Sequence, residues 1–251
     1  YVRRGPDGVW RLLATGGGRR PDRQQTGPSC LYATSDDLIH WKVVDLLPLM
    51  KDVRNDNGGM ARNIWAPEWF YDKENGDYIL VWSSSFEDAG WKDSRLWYCR
   101  TRDWKEFTPA KVLFDPPYSV IDGTLIENGG RYYLFHKEEE FGELTGERRA
   151  IRLAVSDDLE GPYTIIEGPL NGGQIVHVIT EGPSVTAAIG GEGWLLYYDF
   201  CMTDRFGVSY SGNLTDWSAI EDASFPSEAR HGTVSVISHD QAEKLIGAYG
   251  M

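Results

Sequence analysis

At 251 residues the chain is long enough to bury a substantial core and fits one large all-β domain spanning residues 1–251. Its 38 acidic against 25 basic residues leave a formal charge of −13, so there is no basic excess to neutralise a phosphate backbone, which argues against a nucleic acid and for a neutral or cationic ligand. Cys30, Cys99 and Cys201 lie far apart with no CxxC spacing, which argues against a disulfide framework or a zinc site, and no apolar run reaches the ~18 residues that a membrane span needs.

In chain order, the first apolar segment is VWRLLAT (9–15), preceded by the turn signature GPDG, in which Asp7 reads as a turn residue. Arg19, Arg20 and Arg23 form a short basic loop, read as solvated. YATSDDLIHWK (32–42) reads as strand, polar turn, then aromatic-bearing strand. NIWAPEWF follows, then DYILVWSSS (77–85) after the turn ENGD, then YCRTRDWKEFT (98–108). The same sequence of segments returns as SVIDGTLI, RYYLFHKE (131–138) and LAVSDDLEGPYT (153–164), with the acidic stretch 137–149 read as a solvated insertion. It returns again as ITEGPSV, GWLLYYDF (193–200) and VSYSGNLTDWS (208–219). Asp36, Asp37, Asp157, Asp158 and Asp216 recur at the outer turns and read as structural. ARHGTVSV opens a further unit, and QAEKLIGAYG near the C-terminus is the one segment of helical character.

Four strands per unit of about 50–65 residues predict a β-propeller, because a radial array buries both faces of each small sheet against its neighbours. The period exceeds that of WD repeats, and no Gly-His pair precedes the Asp-Trp pairs. Counting outer strands predicts five blades: one to about residue 45, then 60–110, 116–168 and 176–222, with an incomplete fifth at 229–240.

The first strand of each blade lines the central channel. At its start stand Trp65, Asp122, Glu181 and His231, each followed by a small residue and separated by 57 (65 to 122), 59 (122 to 181) and 50 (181 to 231) residues. Two acids and a histidine converging on one axis suit glycoside hydrolysis, which needs one protonated and one ionised carboxyl. Clustering would raise one of their pKa values by repulsion and desolvation. Glu68 lies three residues past its axial position, poised either to pair with Arg62 or to face the pocket rim. Arg205, after the second strand of the fourth unit, reaches either an axial carboxylate or substrate hydroxyl, or the surface. Thirteen per cent aromatic residues suit stacking on sugar rings as well as the enrichment of aromatics in strands.

In this order and spacing, WAPE, SVIDGTL, TEGPSV and ARHGTV resemble the five-bladed propeller enzymes of glycoside hydrolase family 43: arabinofuranosidases, xylosidases and arabinanases. The resemblance covers essentially the whole chain. It implies an inverting glycosidase acting on α-L-arabinofuranosyl or β-xylosyl linkages of oligosaccharides or polysaccharides. Glu181 would be general acid and Asp122 the residue that orients it and tunes its pKa; His231 would help hold an axial calcium ion or water cluster, and Trp65 would form part of the wall or floor of the sugar pocket. The family's general base is an Asp in an Arg-Asp-Pro motif of the first blade, which this sequence lacks. Laying YVRRGPDGVWRLL over TLIENGGRYYLF matches Tyr1 to Thr124 and puts the partner of Asp122 two residues before Tyr1, so the chain is expected to be N-terminally truncated. The alternative is a carbohydrate-binding propeller that has lost its base.

Overall fold

The computed structural model describes residues 1–16, 27–139, 150–166, 179–201, 203–226 and 231–250. Sixteen strands form four antiparallel four-stranded sheets, each in simple up-and-down order. The first contains β1 (Val2–Arg4), β2 (Trp10–Thr15), β3 (Cys30–Ser35) and β4 (Lys42–Leu47). The second contains β5 (Trp65–Asp72), β6 (Asp77–Ser84), β7 (Arg95–Thr101) and β8 (Lys111–Phe114). The third contains β9 (Val120–Asn128), β10 (Arg131–Glu138), β11 (Ile151–Ser156) and β12 (Thr164–Ile165). The fourth contains β13 (Thr180–Ala187), β14 (Trp194–Phe200), β15 (Phe206–Ser211) and β16 (Ser218–Ala219). One helix, α1 (His239–Tyr249), follows, opened by a capping box between Ser238 and Gln241. It is not long and apolar enough to cross a membrane.

The propeller architecture matches the sequence reading, but the blade count does not. Among the described residues there are four blades, not five. The segment read as the inner strand of a fifth blade falls partly on residues outside the described set, and residues 231–238 form no strand. They run instead between β1 and β13, tied by side chains rather than by a backbone ladder. Val2 N donates to Thr233 Oγ1 at 3.0 Å, Ser235 Oγ to Val2 O at 2.7 Å, and Val234 N to Ser184 Oγ at 3.0 Å. Thr233 and Ser235 bond through their hydroxyls to the first blade and Val234 bonds through its N–H to the fourth, so no continuous strand pairing develops. The basic loop with Arg19, Arg20 and Arg23, and residues 140–149 of the acidic stretch, lie outside the described residues, but Lys137 and Glu138, read as the start of that solvated insertion, are buried at the end of β10.

A repeated polar device sets the hairpin between third and fourth strands. Ser35, Thr101 and Ser211 each accept a hydrogen bond at 2.9 Å from the backbone N–H three residues on, at Leu38, Trp104 and Leu214. Those three residues have φ of 69°, 60° and 68°. The left-handed turn is held by Asp37, Asp103 and Asn213, whose side-chain oxygens cap the next backbone N–H groups. Of the acids read as structural, Asp37 caps this turn, Asp158 accepts from Glu160 N and Asp216 accepts from Asn213 Nδ2. The core lies between blades, with Leu13, Trp69, Leu80 and Trp82 buried between the first and second, and Phe135, Leu153, Leu196 and Trp217 between the third and fourth.

Candidate active site

Strand register decides which residues stand at equivalent places. Trp10, Tyr78, Tyr132 and Trp194 pair with the turn residues Ser35, Thr101, Ser156 and Ser211. Counting inward from these pairs, Glu68, Thr124 and Ser184 share one place on the inner strands, opposite Val81, Phe135 and Tyr197. Tyr1 stands at the same place in the first blade, its carbonyl accepting from Leu13 N at 2.9 Å. The match of Tyr1 to Thr124 read from sequence therefore agrees with the register.

The alignment of the axial residues themselves is off by one. Each of the three later inner strands carries a bulge here, and the bulged residues are Ala66, Asp122 and Gly182, with φ of 43°, 52° and 61°. Asp122 is thus the counterpart of Ala66 and Gly182, while Glu181 is the counterpart of Trp65 and Ile121. The small residues after the marked positions suggested a common register, but in SVIDGTLI the residue with positive φ is the aspartate and not the glycine. The bulge turns the Asp122 carboxylate across to the next blade, where its Oδ2 accepts from Gly182 N at 3.1 Å. Gly182 cannot carry a side chain: a Cβ there would lie 1.9 Å from His231 Cβ.

The place two residues beyond Leu13 in the second strand, and its counterparts, completes the ring. It is filled by Thr15, Ser83, Lys137 and Asp199, and each of these holds the chain that follows it around the axis. Thr15 Oγ1 accepts from Ala66 N at 3.3 Å, and Ser83 Oγ from Asp122 N at 3.1 Å. Lys137 Nζ lies 2.9 Å from Glu181 Oε2, and Asp199 Oδ2 accepts from His231 N at 3.2 Å. Lys137 and Asp199 were not singled out from sequence. The readable signal was a charged residue near the end of an otherwise apolar second strand, in LFHK and LYYD, where the outer half of the strand gives no reason for one.

The cluster is buried and charged. Lys137 is 1 % exposed and is shared between Glu181 and Glu139, the latter at 2.7 Å. Burial works against its ammonium, but the two carboxylates outweigh burial and raise its pKa, so it stays cationic. His231 Nδ1 lies 3.1 Å from Asp199 Oδ2, and that hydrogen bond raises the imidazole to about 9. Asp122 is pushed up by burial, against the lowering influence of His231 and Lys137. Glu68 is raised to about 7, chiefly by desolvation, although Thr124 hydrogen-bonds to it. Four carboxylates (Asp122, Glu139, Glu181 and Asp199) thus face two cations, Lys137 and His231.

Glu68, Asp122, Gly182 and His231 line one axial pocket of about 220 Å³, with Tyr1, Thr15 and Thr233 completing its wall. Glu68 faces this pocket, while the guanidinium of Arg62 sits 3.7 Å over the ring of Trp91. Trp91 in turn stacks on Trp65, with ring centroids 4.6 Å apart and planes inclined by 8°. One face of Trp65 is therefore occupied by protein. Arg205 is exposed and lies 4.7 Å over the ring of Phe200, so it takes the surface alternative. Asp7 grips Arg11 through both oxygens, at 2.8 and 2.6 Å, and is a turn residue as read.

The nitrogen of His231 and carboxylate oxygens of Glu181 and Asp199 all lie within 4.8 Å of one another. Calcium takes six to eight oxygen ligands. Here Lys137 already occupies Glu181 and protonated His231 already answers Asp199, so these side chains fit a calcium ion poorly.

Residues 11–243 match the family model described as a probable glycosyl hydrolase domain, related to glycoside hydrolase family 43. The chain belongs to this family. An α-L-arabinofuranosidase of Bifidobacterium longum subsp. longum is 29 % identical over 121 residues, a match covering 41 % of this chain and only 11 % of that protein. Among solved structures, the Bacillus subtilis arabinanase superimposes with a TM-score of 0.60 at 17 % identity, over 85 % of this chain and 72 % of that one. An exo-β-1,3-galactanase from Phanerochaete chrysosporium, bound to β-1,3-galactotriose, gives 0.62 at 11 % identity, over 87 % and 48 %. At such identities the structural likeness speaks for the fold.

Proposed function

We propose that the protein is an inverting glycosidase acting on neutral oligosaccharides or polysaccharides, with α-L-arabinofuranosyl linkages as the first substrates to test and β-xylosyl linkages as the second. The observation that carries this reading is that Asp122 and His231 line one axial pocket and that Glu181 lies directly beside His231, in a chain of this family. Arabinofuranosyl substrates are favoured by the likeness to an α-L-arabinofuranosidase.

In this reading Glu181 delivers the proton to the leaving oxygen, and Lys137 fixes the position of its carboxylate through Oε2. Asp122, anchored on Gly182 N, orients the acid and tunes its pKa. Glu68 and Trp65 contact substrate from the second blade. Inversion requires a second carboxylate about 6.5–9.5 Å from the acid, with a water between them. Glu68 and Asp122 are the two carboxylates that line the pocket among the described residues. No catalytic step is assigned to a metal, given the poor fit of the donor set to calcium.

The test is a kinetic screen on aryl arabinofuranosides, aryl xylosides and linear arabinan, with proton NMR reporting the anomer first released. Glu181→Gln is expected to lower turnover of poor leaving groups by about 10²–10⁴; wild-type rates in that variant would rule out the assignment. A second reading is a binding propeller without hydrolysis. Sugar binding with no turnover of any substrate would support it.

A further inference from the structure

The inner strands all run from the catalytic end of the channel to the opposite end, where a second and much larger cavity of about 1180 Å³ opens. Its walls come from the far ends of β1, β5, β9 and β13 and from the hairpins that follow them, so it spans all four blades. That volume exceeds the ~300–1,000 Å³ typical of small-ligand sites and has room for several sugar rings.

The lining has a pattern that register makes visible. Trp10, Tyr78, Tyr132 and Trp194 are one aromatic residue per blade at the same place, the start of the second strand. In the first two blades the ring is buried, at 2 % and 5 % exposure, beneath packing that includes Trp104 and Arg11. In the third and fourth blades the equivalent rings, Tyr132 and Trp194, are half-buried and face the cavity. Phe70 props Tyr132 edge-on at 6.1 Å, which fixes its orientation.

The charges at this end exclude an anionic ligand. The cavity is lined by four basic and six acidic side chains. Its most buried cation, Arg100, is held by Asp72, Asp77 and Glu160 together and has nothing left for a phosphate or carboxylate. The exposed Glu127 accepts from Gly130 N through Oε1 at 2.8 Å and leaves Oε2, together with the exposed Glu74, as acceptors on the rim near Tyr132. Flat aromatic faces with acceptors at their edges match the apolar faces and peripheral hydroxyls of a pyranose or furanose ring, and acidic excess repels anions.

We propose that this distal mouth is a second, non-catalytic binding site for a neutral oligosaccharide stretch, with Tyr132 and Trp194 as its stacking platforms. It takes from the reading above only the ligand class, neutral saccharide. A polysaccharide held there would keep the protein on its substrate while the opposite end of the channel works.

The test is affinity electrophoresis of the Glu181→Gln chain in gels containing linear arabinan, xylan or β-1,3-galactan. At least one polysaccharide should retard the protein. Trp194→Ala or Tyr132→Ala should weaken that retardation about fivefold or more, while leaving kcat/KM on an aryl glycoside, measured without the Glu181 substitution, within twofold. Because both rings also touch the core, the exposed Glu74→Lys serves as a second variant and should weaken retardation without lowering the urea midpoint. Retardation by none of the three polysaccharides, or equal retardation of all variants, would overturn the proposal. Retardation sensitive to Trp194 in a protein that hydrolyses nothing would leave this site standing and remove the hydrolytic reading instead.

Discussion

Lys137 Nζ lies 2.9 Å from Glu181 Oε2 and 2.7 Å from Glu139, almost wholly out of contact with water. A buried ammonium between two carboxylates is a positioning device: it costs several kcal/mol to desolvate, and the two partners recover that cost only if the geometry is kept. Lys137→Met removes the partner and leaves two buried carboxylates facing each other. The expected result is a loss of about 3–5 kcal/mol in the urea denaturation free energy and at least tenfold in kcat. Lys137→Arg keeps the charge and should recover part of both. A Met variant with unchanged kcat would remove Lys137 from any role at Glu181.

The pairing of His231 with Asp199 leads to a titration experiment. The imidazole is raised to about 9 by its hydrogen bond to Asp199, from an ordinary value near 6.5. A raised pKa means that the folded state binds the proton more tightly than the unfolded state. The stabilisation is therefore complete below about pH 6.5 and is lost as pH rises through about 9. Asp199→Asn removes the anion, and the His231 resonance in an NMR titration should then move its midpoint down toward 6.5. An unmoved midpoint would show that other groups hold the proton.

Glu68 carries the opposite kind of burden. Desolvation raises its carboxyl to about 7, so folding is favoured while it is protonated, and that contribution is lost as pH rises from about 4.5 through about 7. Glu68→Gln keeps the shape without the charge. It should stabilise the protein more at pH 8 than at pH 5, by up to about 3 kcal/mol in the difference, as read by chemical denaturation at the two pH values. If Glu68 also contacts substrate, KM on an aryl glycoside should rise in the same variant.

Much of this site was readable from sequence because a propeller repeats. Gly turns, Asp turns and aromatic strands returned at regular intervals, and the chain around Asp122, Glu181 and His231 was correctly brought to one axis. Two features could not be read. The one-residue offset of Asp122 depends on bulges, which depend on positive φ at Ala66, Asp122 and Gly182, and only the last of these is a residue type that announces it. The blade count failed for a related reason: residues 231–238 have a strand-like pattern, yet their polar groups are taken by side-chain bonds to β1 and β13 before any ladder can form. Lys137 and Asp199 were hidden inside apolar strands because their partners lie 44 and 32 residues away.

Gly182 offers the most severe test of the site's geometry. Its φ of 61° lies in the left-handed region, its N–H is the anchor of the Asp122 carboxylate, and a Cβ would sit 1.9 Å from His231 Cβ. The backbone cost alone of placing Ala there is about 1 kcal/mol. The clash adds more, because His231 is held by Asp199 from the other side through both its backbone N–H and its ring. For Ala to fit, the 231–238 segment must move away from β13, breaking the bond from Val234 N to Ser184. Gly182→Ala is therefore expected to lower stability by more than about 2 kcal/mol and to release His231 from Asp199, so that its NMR titration midpoint falls as in Asp199→Asn. An Ala variant with native stability and an unshifted His231 would mean that the segment does not pack on Gly182 as described.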